Sequence, residues 1–182
     1  MERILSVNCI TTNSHVRFIP QEPVEADIHI GDIAHALCYL CRANGHFDSF
    51  YSVAQHCVNC ALEAKARGLS REVQLACLLH DASEAYMSDV TRPVKRFLPQ
   101  YMEIEKRLQD MIYLKFGAAG EHPAIAEIDD ALLYHEFVHL LGETLFKETP
   151  VLFSQPDYSE RAFGAVKQGF LALFEELSIN IA

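Results

Sequence analysis

His80 and Asp81 stand side by side at the end of an apolar run, Leu78-Leu79-His80-Asp81-Ala82-Ser83-Glu84-Ala85-Tyr86, and Glu84 follows one turn later. An imidazole nitrogen and a carboxylate oxygen offered from one point are ligand types that divalent metals accept. If the helix continues through this stretch, Glu84 is i+4 from His80 and i+3 from Asp81 and projects from the same face. A carboxylate beside an ion, but not needed as a ligand, is placed to move a proton to or from water. The plain alternative is a helix end with a capping Asp and an exposed Glu.

Two further residues belong with this stretch. His56 lies in a helical apolar pattern with Val53, Cys57, Cys60 and Ala61. Asp129 follows Ile125 and Ile128 and precedes Leu132-Leu133, so it faces inward, where a carboxylate needs a partner. Converging helices can bring His56, His80, Asp81 and Asp129 around one ion with positions left open, as in catalytic rather than structural sites. Taken one at a time, each also reads as an ordinary satisfied polar residue.

Two other patterns compete for a metal. His135-Glu136-Phe137-Val138-His139 matches the H-E-x-x-H pattern of zinc peptidases, with two His on one helix face and Glu136 as base. The longer metzincin pattern fails, because Leu145 stands where its third His belongs. Cys38-x-x-Cys41 and Cys57-x-x-Cys60 have zinc-site spacing. Both pairs sit inside helical apolar patterns, however, where small buried Cys in helix packing is the better explanation.

The elements that must position these residues are mainly helical. Residues 3–20 have β character and read as a hairpin, with Ile4–Val7 as one strand, a turn-rich centre at 11–14, and a second strand at 15–19. Asp32 caps a helix running to about Ala43, stopped by Asn44-Gly45. Ser52 starts a helix closed by Gly68, and Ser70 caps the next. Thr91-Arg92-Pro93 is a break. A long amphipathic segment covers about Gln100 to Phe116, and His122-Pro123 opens a helix that Gly142 stops. Asp157 or Ser159 caps a last helix to about Leu177. The expected fold is all-α, a helical bundle around a metal site with a small N-terminal hairpin. Residues 1–182 read as one domain: hairpin and connector over 1–31, helical body over 32–182.

Composition narrows the function. A net charge of −10 argues against nucleic acid as partner, while leaving room for a local Arg/Lys pocket for a small phosphorylated molecule. No apolar run approaches a membrane span and the first residues lack the apolar stretch of a signal peptide, so no membrane partner is expected. The six cysteines then read as reduced thiols in a cytoplasm.

The ordered pattern His56 … His80-Asp81 … Asp129 resembles the H…HD…D metal signature of the HD-domain phosphohydrolase superfamily. Asp32-Ile33-Ala34-His35-Ala36-Leu37, Cys41-Arg42 with Gly45-His46, Phe50 through His56, and His80 through Asp89 with Pro93-Val94-Lys95 are similar to the branch related to YfbR-type 5′-deoxynucleotidases. The likeness covers about residues 16–145. It implies a helical fold around one divalent ion (Mn, Co, Fe, Ni, Zn or Mg) and hydrolysis of a phosphate compound, commonly a nucleotide such as a deoxynucleoside mono- or triphosphate. By the same resemblance His56, His80, Asp81 and Asp129 are ligands, Glu84 handles the proton of the attacking water, Asp89 is a second site carboxylate, and Arg42 and Lys95 face the phosphate. Two departures stand out. Ala43 follows Arg42 where the YfbR-type enzymes carry Trp, and Asp129-Asp130 offers two choices for the last ligand, of which Asp129 keeps the family spacing. The alternative functions are an H-E-x-x-H metallopeptidase built on His135, Glu136 and His139, and a non-catalytic binding module of HD fold. Self-association is left open.

Overall fold

Ser52 and Ser70 each place a side-chain oxygen on the backbone N–H three residues ahead, Gln55 and Val73, and so start the two helices on which the rest is hung. A computed structural model of the chain describes residues 8–178. Within them the order is β1 (Ile10–Thr11), β2 (Arg17–Phe18), α1 (Ile30–Tyr39), α2 (Val53–Ala66), α3 (Arg71–Leu79), α4 (Glu84–Met87), α5 (Arg92–Lys95), α6 (Pro99–Phe116), α7 (Pro123–Leu141) and α8 (Phe163–Ser178). The molecule is thus mostly helical with a small two-stranded antiparallel hairpin.

Helix α2 is the axis. It packs on α1, α3, α7 and α8, and buried residues occur on all its sides. A helix covered all round is expected to be apolar all round. This one instead buries Gln55, His56, Asn59 and Glu63, each of which finds partners. The main core lies between α1, α2, α3 and α8. Val166, Phe170, Leu173 and Leu177 form the stripe by which α8 closes it. A smaller core of Cys60, Ala64, Val73, Cys77, Ile128 and Leu132 joins α2, α3 and α7. The site lies between these two cores.

Several elements differ from the sequence expectation. The hairpin pairs Ile10 with Phe18 and Thr11 with Arg17, so its first strand runs into the start of the expected turn at Thr11. The expected strand at Ile4–Val7 lies outside the described residues. The real turn is tight: Thr12 N donates to Val16 O, and His15 takes a positive φ. Asp32 does not cap α1. The cap position is His29, and Asp32 is a buried acceptor for the Ser14 backbone N–H (2.8 Å) and hydroxyl (2.6 Å), which fastens the hairpin to α1. Phe18 stacks on Tyr86, with ring centroids 4.1 Å apart, and fastens the hairpin to α4.

Helix α1 ends at Tyr39, short of Ala43, because Leu40 and Cys41 turn extended and Cys41 pairs with Ser52 in an isolated bridge. The chain then passes through three left-handed residues, Ala43, Asn44 and Gly45. Glycine takes such a φ freely, whereas Ala43 is strained by about 1–2 kcal/mol. The expected break at Thr91–Pro93 holds the short helix α5, with Pro93 in its first turn, where its missing N–H costs nothing. Asp157 spends its carboxylate on the backbone N–H and hydroxyl of Ser159, so α8 begins only at Phe163. The expected ends of α2, α6 and α7 hold, with Gly117 and Gly142 left-handed at two of them.

Candidate metal centre

The helix carrying His80 does not continue to Glu84. Helix α3 ends at Leu79, and residues 80–84 turn through i→i+3 bonds, Ala82 N to Leu79 O and Glu84 N to Asp81 O. This tighter winding still turns Glu84 inward, where it is buried. Gln109 of α6 holds the turn from both sides, accepting from Ser83 N–H (3.0 Å) and donating to Leu79 O (2.7 Å). Nothing in the sequence around Gln109 marked it; its role comes from α6 crossing α3.

Four of the sequence-predicted residues meet. His56 Nε2 lies 3.2 Å from His80 Nε2, 3.1 Å from Asp129 Oδ1 and 3.9 Å from Asp81 Oδ2. His80 Nε2 lies 3.3 Å from Asp81 Oδ2 and 3.9 Å from Asp129 Oδ1. Ligand atoms 2.0–2.1 Å from one ion would be about 3.0–3.4 Å apart, so the four donors are near coordination spacing. Asp130 turns away to the exposed Arg92 Nη1, while Arg92 Nη2 takes the outer oxygen Oδ2 of Asp129 at 2.5 Å. Of the Asp129-Asp130 pair, Asp129 is therefore the one at the centre.

The outward nitrogens of both rings are fixed. His80 Nδ1 is 2.8 Å from the Cys77 carbonyl oxygen. A carbonyl only accepts, so Nδ1 carries hydrogen and Nε2 of the neutral ring presents a lone pair to the centre. His56 Nδ1 is 2.5 Å from Oε1 of the fully buried Glu136. Both arrangements are the outer bonds that orient ligating histidines. His80 Nε2, His56 Nε2 and the two carboxylate oxygens converge on one point, and a cation there, in place of the proton that the surrounding acids favour on His56, satisfies all four. That is the fit of this donor set to a divalent ion.

The acids also set the electrostatics. Burial and Arg42 push the His56 imidazole down, but Glu136 and Asp129 outweigh them and raise it to about 9. Burial would raise Asp129, yet His56, His80 and Arg42 hold it well below the usual carboxylate range. Arg42 stands among the same acids, 3.5 Å from Asp81, 3.9 Å from Asp129 and 3.2 Å from Glu136. Glu84 differs: burial, with Asp81 and Asp89 nearby, raises its carboxyl well above the ordinary range, and its Oε2 is buried without a hydrogen-bond partner. Asp89 is half-buried, and burial raises it too against the pull of Arg42. Lys95 is no lone cation; its Nζ bonds Glu105 at 2.7 Å.

Beside His80, Asp81, Glu84 and Asp129 opens a cavity of about 980 Å³. Its walls are one face of α6 (Met102, Glu105, Lys106, Gln109, Tyr113), the start of α7 (Pro123, Ile125, Ala126) and Lys95. The competing histidines are elsewhere. His135 Nε2 contacts the Pro150 carbonyl, and His139 stacks on Tyr158, while Glu136 between them points to His56. Of the two CxxC pairs, only Cys57 and Cys60 belong to metal-capable groups among the described residues, and they do so with His56, His80 and Asp81 rather than with Cys38 and Cys41.

No family model matches the chain. It is 40% identical over 108 residues to the uncharacterized protein YfdR of Escherichia coli, a match covering 59% of this chain and 58% of that protein. It is also 40% identical over 108 residues to the uncharacterized protein RCAP_rcc00048 of Rhodobacter capsulatus, covering 57% and 55%. The chain thus matches a little over half the length of these curated relatives, and neither name carries an activity. No helix among the described residues is long and apolar enough to cross a membrane.

Proposed function

We propose that the protein is a divalent-metal-dependent phosphohydrolase of HD-domain type, acting in the cytoplasm on nucleotides or similar small phosphate compounds. The observation that carries this reading is the convergence of His56 Nε2, His80 Nε2, Asp81 Oδ2 and Asp129 Oδ1, with both outward imidazole nitrogens already committed. When bound there, a divalent ion lowers the pKa of water and polarises a phosphoryl oxygen. Glu84, beside Asp81 with an unpartnered oxygen and a raised pKa, gives or takes the proton of the reaction. Arg42 and Lys95 supply positive charge toward the phosphoryl oxygens, and the adjoining cavity is large enough for the organic part of a nucleotide. The peptidase reading loses its base, because Glu136 is spent on His56 and Arg42.

The test is hydrolysis of a panel of deoxynucleoside mono- and triphosphates with added Mn, Co, Mg or Zn, run on three proteins. The wild type should release phosphate or pyrophosphate with at least one metal. His80→Ala/Asp81→Ala should stay helical by circular dichroism and lose both retained metal and activity. Glu84→Gln should keep metal and substrate binding, with turnover lower by about 10²–10⁴. Hydrolysis by the double variant at the wild-type rate would sink the assignment.

A further inference from the structure

Cys60 lies one turn beyond His56 on α2, on the same face, and is 1% exposed. Its Sγ is 3.4 Å from His56 Nε2, the atom around which the four-donor centre is arranged. The ligand atoms of His56, Cys60 and His80 all lie within 4.8 Å of one another. A sulfur about 2.3 Å and a nitrogen about 2.0–2.1 Å from one zinc-like ion would be about 3.1–3.6 Å apart, and the observed separation falls inside that interval. Cys57 also lies near His80 and Asp81, but its sulfur already receives the Asp81 backbone N–H. Among the described residues Cys60 has no such bond, and its hydrogen-bond contact there is His56 Nε2.

We propose that Cys60 Sγ is a further ligand of the His56–His80–Asp81–Asp129 centre, so that the centre takes a borderline ion of the zinc class in preference to magnesium. The inference rests on the metal-centre reading above and adds a sulfur to it. Thiolate is a ligand for zinc and similar ions, whereas magnesium selects oxygen, so one sulfur in the set shifts the preference. Burial raises the Cys60 thiol well above its ordinary range and so strengthens its hold on the proton. Coordination removes that proton to solvent, as it does for coordinating thiols generally.

The experiment is X-ray absorption at the zinc edge on the full chain loaded with one equivalent of zinc, with His80→Ala as the control for zinc bound elsewhere. The expected wild-type spectrum has one sulfur shell at about 2.3 Å besides nitrogen and oxygen at about 2.0–2.1 Å. The sulfur shell should vanish in Cys60→Ser and in Cys60→Ala, with zinc still bound, and persist in Cys57→Ser. If neither Cys60 variant folds, persistence of the shell in Cys57→Ser carries the assignment, and its loss there overturns it. A wild-type spectrum of nitrogen and oxygen alone overturns the sulfur ligand and leaves the four-residue centre standing. Zinc retention unaffected by His80→Ala overturns the centre itself, and the sulfur ligand with it.

Discussion

Glu136 has no exposed surface, and its two oxygens serve two residues: Oε1 bonds His56 Nδ1 and Oε2 bonds Arg42. In the sequence it reads as the middle of an H-E-x-x-H pattern, because i,i+4 histidines on a helix always share a face. Glu136 is one residue on from His135, about 100° round the helix, and that step turns it to α2. Its carboxylate is held below the ordinary range, since His56 and Arg42 outweigh the cost of burial. Glu136→Gln keeps the shape and removes the charge that orients His56. Zinc affinity, measured by competition with a chromophoric chelator, is expected to fall about 10–100-fold, the usual cost of losing such an outer partner. Unchanged zinc affinity with abolished activity would instead restore Glu136 as a base. The four converging donors were legible because each sits among helical apolar residues and follows a familiar order. Their outer partners, Glu136, the Cys77 carbonyl and Gln109, were not, because they come from helix crossings and backbone atoms that no local pattern encodes.

Helix α2 and the segment between α7 and α8 form the element of the fold least visible in sequence. Gln55, Asn59 and Glu63 recur every fourth residue and make a polar ladder down one side of α2. Gln55 donates to the Asp157 and Ser159 carbonyls, Asn59 donates to Asp157 O, and Glu63 accepts from Phe153 N–H, Ser154 N–H and the Ser154 hydroxyl. The same segment reaches α7 through Thr149 to Tyr134 and Pro150 to His135. It therefore lashes together the two helices that bring His56 to Glu136. Residues 150–156 could be read as a loop from their prolines, but helical periodicity says nothing about where a loop is tied. Burial would raise Glu63, yet its bonds to Ser154, Arg67 and Phe153 hold it below the ordinary range. A carboxylate depressed in the folded state adds stability above its unfolded pKa, near 4.5, and loses it as pH falls through the lower folded value. The protection of the amides at 153–159, relative to their intrinsic exchange rates at each pH, is therefore expected to stay high at pH 6–7 and to fall below about pH 4.5. Glu63→Gln should show the low protection already at pH 7, at a cost of about 1.5–3 kcal/mol in stability. Equal protection of the segment in both proteins at pH 7 would mean that Glu63 does not hold it.

At the scale of the whole molecule, the proposed function asks an acidic protein to receive an anionic substrate. The net charge is −10, and the cations near the centre are engaged: Arg42 by three carboxylates, Lys95 by Glu105, and Lys106 by Asp110 and Glu121. On the proposed reading, a nucleotide approaching the cleft between α6 and α7 meets a repulsive field until it is within reach of the centre. Such a field extends about 30 Å at 0.01 M ionic strength and about 10 Å at 0.1 M. Raising ionic strength over this interval should screen the repulsion and leave the short-range contacts in the site largely intact. The expected result is a kcat/KM that rises with salt, by a factor of a few and at most about tenfold, with kcat nearly constant. This is the reverse of the behaviour of an electrostatically steered enzyme. Charge reversal at the cleft mouth gives the internal control. Glu121→Lys removes a negative charge and adds a positive one beside Lys106, outside the donor set, and should raise kcat/KM at low salt and flatten its salt dependence. Initial rates on one hydrolysed nucleotide, at fixed free metal and in a non-coordinating salt, decide it. A kcat/KM that falls with salt in the wild type would show that Arg42 and Lys95 dominate the approach, and that their carboxylate partners leave them with positive potential to spare.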